Sequence, residues 1–163
     1  MPTICSYKLY HLKVPYGSPI RWGGHSEDAL ELVLMKVRTR EGQITVAEMP
    51  VRQPWHGIRP AELIAQLDRV LSHVVSVGGE LESCATIADI NPLARNLIDI
   101  ASWQIKTSAL KKPLWMGLGG VNPSVELSWT ITRDQPARMA RTAASAKDRH
   151  GINAFKITTG QGL

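Results

Sequence analysis

Few residues in this 163-residue chain have the type and spacing that chemistry requires. Near the C-terminal end, Ala154-Phe155-Lys156-Ile157-Thr158 has the aromatic and β-branched content of a strand. Strand side chains alternate, so Lys156 and Thr158 share one face. A lysine there can hold an anion or, if desolvated, act as a base. Threonine is no base near neutral pH, and an ammonium standing in solvent at a sheet edge is the plainer reading of Lys156. Two further groups occupy stretches rich in Pro and Gly. Trp22, Gly23 and His25 fall in Pro15 to Ser26, whose composition describes a mobile loop, and Trp55 and His56 fall in a second loop, Pro50 to Gly57.

Several chemistries are disfavoured. His11, His73 and His150 have neither each other nor a cysteine at metal-ligand spacing, and Cys5 and Cys84 suggest no zinc site or disulfide framework. No metal ligands are assigned. Gly117-x-Gly119-Gly120 fails as a nucleotide loop, because no strand leads into it and no Gly-opened helix follows. The formal charge of +5 comes from cations that never run longer than two, so a mildly basic solvated surface is expected and no nucleic-acid partner. The N-terminal segment lacks the continuous apolar core of a signal peptide, and no apolar stretch reaches spanning length. A cytoplasmic protein without a membrane partner is the simplest expectation.

The elements that must position these residues follow from periodicity. Thr3 to Val14 is expected to be a strand, and Leu30 to Thr39, a turn at Arg40 to Gln43, and a strand from Ile44 form a hairpin. Leu63, Ile64, Leu67, Val70, Leu71, Val74 and Val75 mark an amphipathic helix from Pro60 to the Gly78-Gly79 pair. Asn91-Pro92 opens a second helix, which carries Leu93, Leu97, Ile100, Ala101 and Ile105 and stops before Pro113. Val125 to Ile131 predicts a strand, Asp134 caps a helix that Gly151 closes, and Ile152 to Thr158 predicts another strand. That order is a βαβ unit with parallel strands. A boundary is expected near residue 122.

Asn96 to Gly120, NLIDIASWQIKTSALKKPLWMGLGG, resembles the helix and glycine turn joining capping domain to barrel in the mandelate racemase and muconate lactonizing branch of the enolase superfamily. Asp99, Ala101, Trp103, Lys106, Pro113, Leu114, Gly119 and Gly120 fall in step with that family's pattern, whereas Gln104 stands for the usual Asp and Gly117 for a common Leu. Leu32 to Pro50, ending in Ala47-Glu48-Met49-Pro50, is similar to the capping-domain hairpin.

The resemblance implies an α+β fold: residues 1–122 as an enolase-like N-terminal capping domain, a three-stranded antiparallel meander followed by helices. Residues 123–163 would be the first βαβ unit of an incomplete (β/α) barrel, stopping before the strands that carry the family's metal ligands. It implies Mg²⁺ for the complete enzyme and none bound by this chain alone. It implies a small carboxylate substrate, covered by the loops holding Trp22, Gly23, His25, Trp55 and His56. Lys156 matches the first lysine of the family's Lys-x-Lys strand, which helps neutralise the substrate carboxylate. Thr158 replaces the second, the usual base, so little activity is expected of this chain alone. The competing expectation is a non-catalytic interaction module, and self-association between copies is compatible with both.

Overall fold

A computed structural model describes residues 2–22, 24–86 and 89–158. Three strands come first: β1 (Ile4–Trp22), β2 (His25–Thr39) and β3 (Ile44–Pro50). They form one sheet in the order β1-β2-β3, with β2 and β3 antiparallel and Met35 opposite Ala47. Then follow α1 (Gln53–His56), α2 (Pro60–Ser76), a 3₁₀ turn over Leu81–Thr86, α3 (Pro92–Ala109) and α4 (Leu114–Gly117). The chain goes on to β4 (Ser128–Ile131), α5 (Pro136–His150) and β5 (Ala154–Ile157), with β4 and β5 parallel.

Two compact units divide these elements. The first comprises residues 1–14 and 30–121, the second residues 15–29 and 122–163.

The first unit holds the main core. Alternation along β2 buries Val33, Met35 and Val37, while α2 contributes Leu63, Leu67, Leu71 and Val74 and α3 contributes Leu97, Ile98, Ala101 and Ile105. Polar ties fix the layers. Tyr7 Oη on β1 donates to Asp68 Oδ1 on α2 at 2.7 Å. Thr45 Oγ1 on β3 donates to Gln104 Oε1 on α3, and Gln43 Nε2 donates to the Ile105 carbonyl at 3.2 Å. The side chain of Asn91 accepts from the Leu93 N–H at 2.9 Å with Pro92 at the first helical position, as the sequence pattern predicts for α3.

Two expectations are corrected. Pro15 to Ser26 is not a loop: residues 15–22 continue β1, and β2 begins at His25. Proline is tolerated because β1 is an edge strand by sheet order, where a missing N–H breaks no ladder bond on the open side. Asp134 does not cap α5, whose N-cap is Gln135. With Pro136 setting the first turn, the Asp134 carboxylate instead accepts from the Gln135 N–H at 2.7 Å. Gly151 does close the helix, at φ 67°, a left-handed conformation suited to glycine.

Candidate functional site

In the second unit, Ile131 is buried and the Trp129 ring stacks on His150, the last residue of α5, at 5.3 Å between centroids. The odd-numbered residues of β4 therefore face α5. Thr130 takes the opposite face, and because Thr130 pairs with Lys156 across the parallel ladder, Lys156 lies on that face as well. Lys156 is exposed there. Thr158 lies one residue past β5, and its N–H donates to the Ile131 carbonyl at 3.0 Å. Lys156 and Thr158 therefore both stand at the C-terminal end of the parallel pair, the end at which α/β sheets hold ligands.

A cavity of about 360 Å³ opens in this unit, lined by Arg21, Gly24, His25, Ser26, Arg133, Asp134 and Gln135. The hairpin tip between β1 and β2 and the segment following β4 form its walls. Of the sequence-predicted residues, His25 lines this cavity. Trp22 ends β1, and Gly23 lies outside the described residues. Arg21 and Arg133 were not singled out by sequence reasoning, since isolated arginines in a moderately basic chain carry no spacing signal.

Trp55 and His56 belong to the first unit, on α1. His56 Nδ1 accepts from the Arg52 N–H at 2.9 Å, which closes the short helical turn, and the Arg52 guanidinium lies 5.5 Å from the centre of the half-exposed Trp55 ring. Each thus has a local structural role, on a short helix where the composition of Pro50 to Gly57 led to the expectation of a loop.

Solved structures share this fold. A dipeptide epimerase from Enterococcus faecalis V583, complexed with Mg and L-Leu-L-Tyr, matches with a TM-score of 0.87 at 21% identity, over 98% of this chain and 46% of its own. The muconate lactonizing enzyme of Mycobacterium smegmatis, complexed with muconolactone, matches at 0.86 and 26% identity, over 98% of this chain and 45% of that one. The fold is that of the enolase superfamily's mandelate racemase and muconate lactonizing branch. The substrate-liganded L-Ala-D/L-Glu epimerase of Bacillus subtilis matches at 0.86 and 19% identity, over 99% of this chain and 46% of its own. The chain therefore spans less than half the length of these structures. No model of a known protein family matches the sequence, nor does any curated protein.

Within the enolase-superfamily fold, the two departures in the joining stretch have structural readings. Gln104 ties α3 to β3 through Thr45. Gly117 lies against the Thr107 side chain with no room for a Cβ, so a larger residue requires Thr107 to move.

Magnesium is present in the E. faecalis structure. Among the described residues of this chain, no three His, Cys, Asp or Glu side chains gather closely enough to hold an ion. The described residues therefore do not fit a Mg²⁺ site. Among the described residues, too, no helix is long and apolar enough to cross a membrane.

Proposed function

We propose that this chain contributes the capping domain, residues 1–122, and the opening barrel unit, residues 123–163, of an enzyme that removes a proton α to a carboxylate. The reaction class is racemisation, epimerisation, cycloisomerisation or acid-sugar dehydration, with Mg²⁺ as a cofactor of the completed enzyme. The observation that carries this reading is the position of Lys156, on the open face and at the C-terminal end of a parallel β pair, inside a fold shared over 98% of the chain with the epimerase and lactonizing structures.

Lys156 then holds the substrate carboxylate by charge, through hydrogen bonds from its ammonium. Thr158 cannot take up the α-proton, so that task falls to a group elsewhere in the completed site. Trp22, Gly23, His25, Trp55 and His56 cover the small carboxylate substrate and exclude water.

The test is α-proton exchange in deuterated buffer with Mg²⁺ and a panel of carboxylates, run on this chain alone and on the chain joined to the remainder of such a barrel. Exchange is expected only from the joined protein, falling by about a hundredfold in Lys156→Ala, on the scale of one charge-assisted contact to the reacting group. Undiminished exchange in that variant would remove Lys156 from the site.

A second reading, a non-catalytic module that associates with a partner or its own copy, is favoured by the apolar surface of the second unit. Leu127 is 69% exposed and Ile157 57%, beside a two-stranded sheet with open edges. Sedimentation at increasing concentration tests it: a monomer throughout argues against self-association.

A further inference from the structure

Arg138, Arg141, Ser145 and Arg149 recur at three- and four-residue intervals along α5, so they form one stripe of the helix. The stripe and Trp129 of β4 line a groove of about 580 Å³ within the second unit. Of the described residues lining it, Asp134 alone carries a carboxylate, and its Oδ2 lies 3.9 Å from Arg138 Nη1. Arg141 and Arg149 make no ion pair with a described residue. Three guanidiniums therefore stand against one carboxylate.

The eight-residue step from Arg141 to Arg149 spans about 12 Å of helix axis. A lone carboxylate or phosphate reaches one of these arginines, whereas an anion with charge spread along its length reaches both. The volume of the groove is that of a small-molecule site. Arginine's planar fork pairs with phosphate oxygens through two N–H donors, and the Ser145 hydroxyl between the guanidiniums adds a neutral donor. Trp129 is 37% exposed even though His150 stacks on its ring, so part of the indole stays open beside the stripe.

We propose that this groove binds a polyphosphate chain, free or as the tail of a nucleotide. It lies on the helix side of the β4–β5 pair, opposite the face that carries Lys156, so the site is separate from the proposed reaction.

The isotope-labelled 163-residue chain is titrated with tripolyphosphate, ATP and a glutamate peptide of matched charge. Divalent metal is left out and ionic strength is kept constant and low, since salt screens exposed charges. Tripolyphosphate or ATP is expected to shift the amides of Arg138 to Arg149 saturably, with a weaker response to the peptide. Tighter binding of ATP, with a shift of the Trp129 indole N–H, identifies a nucleotide. Tripolyphosphate binding as tightly or more so identifies the free chain, and both outcomes support the site.

Arg141→Gln and Arg149→Gln should each weaken binding about tenfold, the scale of one charge-assisted hydrogen bond. Lys147→Gln removes the same charge from the opposite side of the helix and should change affinity by less than about twofold. Unchanged dispersion of the remaining resonances shows that each variant is folded. The proposal is overturned by no saturable response to either phosphate ligand, by equal affinity for the glutamate peptide, or by losses in the arginine variants no larger than in Lys147→Gln.

Discussion

The two units bury their apolar residues to different depths. In the first, a sheet packs one face on two amphipathic helices, and residues such as Val33, Leu63, Leu67 and Leu97 are fully covered. In the second, among the described residues, only Ile131 and Ala146 are buried hydrophobics, while Val125, Leu127 and Ile157 face outward. An antiparallel sheet can leave one face to water, whereas parallel strands are ordinarily covered on both. One helix over two parallel strands covers one face only, and the uncovered face is where Lys156 stands. Tight packing thus coincides with the part that carries structure, and incomplete packing with the part that carries the candidate chemistry.

The sharpest way to break this contrast is to remove equal amounts of side chain from each unit. Leu67→Ala should destabilise the first unit by about 2–5 kcal/mol, because a fully buried leucine leaves both lost transfer energy and a cavity. Ile157→Ala, at an exposed position, should cost within about 0.5 kcal/mol. Urea unfolding of both variants reads the difference, and equal costs would show that Ile157 is covered in solution.

A smaller effect is expected at the end of the first unit. Gly117→Ala forces a Cβ into the Thr107 side chain and should cost about 1–3 kcal/mol as overpacking does. Thr107→Ser removes the offending methyl, so the double variant should recover most of that loss, and additive effects in the cycle would show that the two residues do not share the space.

The smallest effect is one of pH. Cys84, 1% exposed in the first unit, has its thiol pKa pushed up to about 11 by burial, against 9.0 for an open thiol. A raised folded pKa means that the contribution to stability is complete below about 9 and declines as pH rises toward about 11. The urea midpoint should fall more steeply over that window in the parent than in Cys84→Ala. Thiol reagents should modify the exposed Cys5 well before Cys84.

Local signals made much of the fold legible. The 3.6-residue stripe from Leu63 to Val74 marks α2, Asn91-Pro92 marks the start of α3, and Gly151 marks the end of α5, because each is set by interactions within a few residues. Pro15 to Ser26 misled for the same reason: prolines and glycines mark a loop locally, yet an edge strand accepts them, and being an edge is a property of the sheet. The site was legible only in part. Lys156 and Thr158 stand out because two-residue spacing on a strand is a geometric statement in itself. Arg21 and Arg133 do not, since no periodicity links residues so far apart.

The sequence by itself determined the β2–β3 hairpin, the courses of α2, α3 and α5 and the core stripes, all of which follow from side-chain periods and backbone preferences acting over short range. Only the tertiary structure decided that the β1–β2 hairpin tip belongs with the second unit, that Gln104 ties a helix to a sheet, that Gly117 must be small, and that two arginines meet in one cavity. Those features depend on which distant surfaces meet, and that is set by the packing of whole elements.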